Sequence, residues 1–360
     1  MLDDIRELKT ALEEQIDYCD NVFIVGHNGP DFDSIGSAIG LASFVDSLGK
    51  DAFIIVDDNE LKIEPGVKKV IDQAKGKFNI IHRDTFLNLV SDKSLLIVTD
   101  VNKQPMISVK DDLDKFWNII VIDHHQEDET SIPVEDRYIS LDASSASEIV
   151  SRVLLYSRKP IDQDVANYLL AGISLDTKRF KINTTDKTHE IAEKLIKHGA
   201  DTDYVNNLFL EEFESFCRIS NLIINGTIIK KYSDSLLAPI QVSFTINRNM
   251  PDQIYLKEDL AKAADRMMKF NGIDASFALG FVEPGVVHVS ARSNKKVDVG
   301  NIMEAIGGGG NPQAAGGRIE IDDIFKVEEE LMQKIVCGLS DEENIFDEPK
   351  IIKLKQVKKI

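Results

Sequence analysis

Short aliphatic runs, each closed by acidic or histidine residues and separated by helix-length segments, constrain this chain more than any other feature. Residues 22–25 lead to His27, Asp31 and Asp33, residues 95–98 to Asp100, and residues 119–122 to Asp123, His124 and His125. A further run over 171–175 ends at Asp176, and another lies at 52–56. Strands that are aliphatic without alternation are buried on both faces, as in parallel sheets, and long connections between them make right-handed crossovers. Open sheets of this kind bind ligands at the carboxyl ends of their strands. The expected fold is α/β, with a mostly parallel sheet whose strand ends bring acidic and histidine side chains together.

Residues 34–48, 65–73 and 145–157 read as helices between those strands. The small residues of Ser34-Ile-Gly-Ser-Ala-Ile-Gly let their helix lie close to the sheet. Ser34 or Asp33 is placed to cap it, with its anion-favouring N-terminus toward the acidic groups. A chain of 360 residues exceeds one ordinary core. Residues 188–198 and 203–221 read as helices, and beyond Asn225 strand-like runs return at 226–230, 240–246, 275–282 and 286–291, with a helix near 259–270. The expected organisation is a metal-binding catalytic domain over 1–200, a helical linker over 201–230, a smaller α/β domain over 231–340 and a tail over 341–360. The tail is acidic at 341–348 and lysine-rich over 350–360, which suits either an extra edge strand or a loose basic arm.

A formal net charge of −19 argues against a general grip on long nucleic acid but not against a small anionic substrate, because cations in a cleft outweigh distant screened charge. Cys19, Cys217 and Cys337 are far apart and form no C-x-x-C pair, so neither a disulfide framework nor a zinc knuckle is indicated. No apolar stretch has the length of a membrane helix, and the N-terminus lacks a signal-peptide pattern; a cytoplasmic protein is expected.

In His27-Asn-Gly-Pro-Asp31-Phe-Asp33 an imidazole and two carboxylates share one short loop. Carboxylates crowded without cations repel, and one must take up a proton. Oxygen and imidazole ligands in this mixture suit manganese, with magnesium, iron or cobalt as alternatives and zinc less favoured.

These motifs resemble, in kind and in order, those of the DHH phosphoesterase family: His27-x-x-x-Asp31-x-Asp33, Asp100, Asp123-His124-His125 and Ser174-Leu-Asp176-Thr177. Ser144-Ser-Ala-Ser-Glu148 is similar to the segment that follows the DHH triplet. Gly307-Gly-Gly-Gly-Asn311-Pro-Gln-Ala-Ala-Gly316 is similar to the glycine signature of the DHH-associated C-terminal domain. Within the family the chain looks most like the catalytic part of GdpP-type cyclic di-AMP phosphodiesterases, followed by nanoRNases and 3′-phosphoadenosine 5′-phosphate (pAp) phosphatases.

The resemblance implies a pair of Mn²⁺ ions (with Mg²⁺ or Co²⁺ as alternatives). His27, Asp31 and Asp100 would hold one, and Asp33, Asp100, His124 and Asp176 the other. Asp123 would orient His124, and His125 would face the substrate phosphate and stabilise the transition state or protonate the leaving oxygen. Hydrolysis would proceed by water activated between the two ions. The substrate would be a small nucleotide, either a cyclic dinucleotide or a short oligonucleotide, and a homodimer is suggested.

In the second domain, glycines 307–310 permit close backbone approach and convergent N–H groups, and Arg292 offers a paired hydrogen-bonding fork. Arg292, Gly308, Gly309, Gly310 and Asn311 are therefore the expected substrate contacts. Asn311 stands where the family usually has histidine; it can donate a hydrogen bond but cannot carry charge. The leading reading is a cyclic di-AMP or linear-dinucleotide phosphodiesterase. The alternatives are a nanoRNase or pAp phosphatase, and a weakly active nucleotide-binding sensor.

Overall fold

A computed structural model describes residues 4–56, 63–231, 240–338 and 350–353. The chain divides into two compact units, Met1–Leu210 and Glu211–Ile360.

The first unit runs α1 (Ile5–Tyr18), β1 (Val22–Val25), α2 (Phe32–Ser47), β2 (Ala52–Val56), α3 (Pro65–Ala74), β3 (Asn79–His82), α4 (Arg83–Phe86) and β4 (Leu95–Thr99). It continues with β5 (Asn118–Asp123), β6 (Arg137–Ile139), α5 (Ala146–Ser157), α6 (Gln163–Asp176), α7 (Asp186–Lys197) and α8 (Thr202–Leu208). All strand pairs are parallel, in the order β3-β2-β1-β4-β5-β6. Successive strand residues serve opposite faces. Val22 and Ile24 join one core with Phe44, Ile149 and Leu169, whereas Phe23 and Val25 join another with Phe86 and Phe116. Burial on both faces explains why these strands read as unbroken aliphatic runs. In this order the chain reverses direction between β1 and β4, which opens a crevice at their carboxyl ends.

Two expectations are corrected. Residues 171–175 are not a strand: they form the last turns of α6, and Asp176 ends a helix. Every residue of α6 from Val165 to Ser174 is buried, so no polar stripe marks a helical period, and a short apolar run reads equally as strand or helix. Residues 203–221 are two helices rather than one. The first stops at Leu208, and Phe209 turns back to pack its ring on Phe32, with centroids 4.6 Å apart. The helix at 145–157 and the strands at 22–25 and 52–56 form as expected. Helix α1 and the short strands β3 and β6 had no sequence counterpart.

The second unit contains α9 (Phe213–Ile224), β7 (Thr227–Lys231), β8 (Ile240–Thr245), α10 (Lys257–Met267), β9 (Ala275–Glu283), β10 (Val286–Ser293), α11 (Val299–Glu304), β11 (Gly309–Gly310), β12 (Ala314–Glu320), α12 (Ile324–Gly338) and β13 (Lys350–Lys353). Its mixed sheet has the order β11-β12-β10-β9-β8-β7-β13, antiparallel except for β8 and β9, which α10 joins as a crossover. Strand β13 pairs with β7, so this part of the tail is an edge strand. The acidic stretch at 341–348 and residues 354–360 lie outside the described residues. No described helix is long and apolar enough to cross a membrane.

Candidate metal centre

The acidic and histidine side chains of the first unit meet at the carboxyl ends of β1, β4 and β5 and the C-terminus of α6. Asp100 is central. One of its oxygens lies 3.5 Å from His27 Nε2, the other 3.4 Å from His124 Nε2. His27 Nε2 is also 3.6 Å from Asp31, and His124 Nε2 is 3.2 Å from Asp176 and 3.8 Å from Asp33. Ligand atoms of His27, Asp31 and Asp100 form one group within 4.8 Å of one another, and those of Asp33, His124 and Asp176 form a second. Asp100 itself has φ of 59°, a left-handed conformation unusual for a residue other than glycine. Such strain gathers where a side chain must be aimed.

Each carboxylate is fixed by local structure. The N-cap of α2 is Asp31, not Ser34 or Asp33: Asp31 Oδ1 accepts the N–H groups of Asp33 and Ser34 at 2.9 and 3.0 Å. Its Oδ2 is left toward His27. Asp33 is fully buried and accepts the N–H groups of Ala146 and Ser147 at 2.7 and 2.8 Å. These belong to the first turn of α5, whose positive end steadies a carboxylate. Sequence reasoning missed this use of Ser145-x-x-Glu148, although its capping spacing marks the start of a helix. Ser145 does cap α5.

Asp123 departs from its expected part. Its Oδ1 accepts the backbone N–H of His124 at 2.7 Å and holds Nδ1 of His125 at 2.9 Å. It therefore aims the ring of His125, not that of His124. A second residue missed in the sequence, buried Asn102, donates to the His125 carbonyl at 3.0 Å. The His125 side chain is 55% exposed, so the ring is anchored at one nitrogen and open at the other edge.

Charge balance in the cluster is tight. Burial disfavours a protonated ring at His27, but Asp100 and Asp31 overturn this and raise its pKa to about 11. Burial likewise opposes charge on His124, and Asp100 and Asp176 push it up to about 11. Asp100 is buried, yet the two imidazoles hold it down to about 2. Burial and then the Asp100 charge raise Asp33 well above the usual carboxylate range, and burial raises Asp176. The bond from Asp123 raises His125.

Asp100 Oδ1, Asp123 Oδ2 and His124 Nε2 are buried with no hydrogen-bond partner. Unpaired buried polar atoms are costly. Two histidines and four carboxylates around such atoms fit divalent cations of the manganese and magnesium kind.

In the second unit the expected contacts are more engaged than the sequence suggested. Arg292 Nε donates to Asp265 at 2.9 Å. Asn311 Oδ1 accepts the N–H groups of Gln313 and Ala314 at 2.9 and 2.8 Å, closing its own turn. The N–H groups of Gly307, Gly308 and Asn311 are bonded to Glu304, Met303 and Ala314. At these positions the glycine run is not an open nest of donors. A Cβ at Gly308 would meet Gly316 O at 2.6 Å and one at Gly310 would meet Ala315 Cα at 2.4 Å, so close strand approach explains both; Gly309 faces open space.

Residues 21–173 match the DHH family, N-terminal domain, and residues 240–336 match the DHHA1 domain. The cyclic-di-AMP phosphodiesterase PdeA of Listeria monocytogenes is 31% identical over 338 residues, 92% of this chain and 49% of that protein. The probable bifunctional oligoribonuclease and PAP phosphatase NrnA of Streptococcus mutans is 27% identical, over 85% of this chain and 93% of the relative. Among solved structures, an exopolyphosphatase-related protein from Bacteroides fragilis has a TM-score of 0.70 at 21% identity, covering 92% of this chain and 97% of that one. The chain spans about half the length of the phosphodiesterase relatives it matches. With its acidic and histidine motifs assembled at one end of a parallel sheet and a DHHA1 match following them in sequence, the chain belongs to the DHH family of phosphoesterases.

Proposed function

We propose that this protein is a metal-dependent phosphodiesterase that hydrolyses cyclic di-AMP or linear dinucleotides. The observation that carries this reading is Asp100, which divides its two oxygens between two imidazole–carboxylate groups beside the exposed ring of His125.

His27, Asp31 and Asp100 would hold one divalent ion, and Asp33, His124 and Asp176, with Asp100 shared, the other; manganese suits this mixture best. Ions there would acidify a water and offset the charge on phosphorus. The protein's own groups do the rest. Asp123 aims the His125 ring and favours its protonated form, so its free edge can donate to a phosphate oxygen or to the leaving oxygen. Asn102 fixes the backbone that carries the ring. In the second unit, Gly309, Asn311 Nδ2 and the unbonded part of the Arg292 fork would be the groups offered to a nucleotide. A cytoplasmic homodimer that acts on small nucleotides and not on long nucleic acid belongs to the same proposal.

A nanoRNase or pAp phosphatase is the second reading, favoured by the match to nearly the whole length of an NrnA relative. A panel of cyclic di-AMP, cyclic di-GMP, pApA and 3′-phosphoadenosine 5′-phosphate, each with Mn²⁺, Mg²⁺ or Co²⁺ and read by product mass, separates the two. Conversion of cyclic di-AMP to pApA with Mn²⁺ is expected. Turnover confined to pAp and linear dinucleotides would favour the second reading, and tight binding without turnover on any substrate would make the protein a sensor.

A further inference from the structure

The loop that leaves Asp176 is wound left-handed for three residues in a row. Lys178, Arg179 and Phe180 have φ of 47°, 60° and 60°, a conformation that L residues adopt singly and seldom in series. The turn is over-determined by its own bonds. The N–H of Lys178 donates to Leu175 O at 3.0 Å, that of Arg179 to Ser174 O at 2.7 Å, and that of Phe180 to the buried Thr177 Oγ1 at 2.9 Å. Backbone strain maintained in this way is characteristic of ligand clamps and active sites.

The turn sets the place of one side chain. The Arg179 guanidinium carbon lies 5.5 Å from the centre of the Phe209 ring, and Phe209 packs on Phe32 with centroids 4.6 Å apart. Phe32 is the residue between Asp31 and Asp33, and Asp176 lies three positions before Arg179. The guanidinium is thus stacked on a ring that packs against the residue standing between two of the cluster's carboxylates, on the turn that follows a third. Arg179 is exposed, and among the described residues no ion pair ties it to a carboxylate, in a chain of net charge −19. A guanidinium stacked on a ring keeps its fork of donors free, and that fork matches phosphate.

We propose that Arg179 recognises a second phosphate of the substrate, one that is not cleaved, and so selects nucleotides that carry two phosphate groups. Lys178 and Lys181, exposed on the same turn, add to the attraction. This assignment rests on the hydrolytic reading above and deepens it.

The dinucleotides pApA and ApA differ only in the second phosphate, so they test the assignment directly. Arg179→Ala is expected to lower the ratio of kcat/KM for pApA over ApA by about tenfold, mostly through KM, the size of one charge-assisted contact. Arg179→Lys, which keeps charge but not the fork, should fall between. Calorimetric binding of pApA with Ca²⁺ in place of Mn²⁺ should weaken by the same factor. An unchanged ratio with unchanged affinity overturns the proposal. So does an equal fall in kcat for both dinucleotides together with weaker Mn²⁺ binding, because a mere brace for Asp176 would act in that way. If no substrate turns over while pApA affinity still depends on Arg179, hydrolysis is wrong and recognition stands.

Discussion

At the scale of single residues, the cluster makes a statement about protons. His27 and His124 are raised from 6.5 to about 11 because carboxylates outweigh the cost of burying a charged ring. A raised imidazole contributes stability that is complete below pH 6.5 and is lost as pH climbs through about 11. A cation takes the neutral ring, so ion uptake must expel these protons. Mn²⁺ affinity should therefore rise between roughly pH 6 and pH 8, and the binding heat should differ between buffers of different ionisation enthalpy. Equal heats would show that no proton leaves. His125 has another task. His125→Ala is expected to cut kcat by about 10²–10⁴-fold, the usual worth of a positioned acid, while metal content measured by elemental analysis stays at the native level. Asp123→Asn removes the carboxylate that raises His125, so the alkaline limb of the kcat profile should move to lower pH. A limb that stays put would mean that the protonated ring is not the donor.

At the scale of elements, the site depends on how closely α6 lies against α2 and α5. A Cβ on Gly172 would stand 2.2 Å from Ser147 Oγ and 2.8 Å from Asp33 Oδ1. Gly172→Ala should cost about 1–3 kcal/mol as overpacking, read by urea unfolding, and should weaken Mn²⁺ binding because Asp33 is displaced. A destabilised variant with native metal affinity would show that Asp33 tolerates the shift. This element also marks the limit of what could be read in the sequence. The aliphatic strands and the residues at their ends were legible, since burial on both faces leaves an unbroken pattern. The helical origin of Asp176 was not, because α6 is buried all round and shows no polar stripe. The Asp123–His125 bond was invisible too, since adjacent histidines offer two rings and only the turn after β5 chooses between them. The same holds for Asn311, whose carbonyl oxygen is consumed by its own turn.

At the scale of the whole molecule, the buried residues separate by unit. The cores around Ile24 and around Phe23 lie within Met1–Leu210, and those around Phe277 and Leu260 lie within Glu211–Ile360. Every proposed cation ligand belongs to the first unit, as do Asp123, His125, Asn102 and the brace Phe209. A unit with its own core is expected to fold by itself. A fragment of residues 1–210 should therefore unfold in one cooperative transition and bind Mn²⁺ as tightly as the full chain. It should also retain slow hydrolysis of bis(p-nitrophenyl) phosphate, a diester that needs no nucleotide-holding domain. On pApA the same fragment should lose affinity, with KM raised at least tenfold if the second unit supplies even one charge-assisted contact. Thermal unfolding followed by circular dichroism, with calorimetry for the ion and steady-state kinetics on both diesters, checks each part. A fragment that folds yet binds no Mn²⁺ would place a required ligand beyond residue 210. A fragment that handles pApA as well as the full chain does would remove the second unit from substrate recognition.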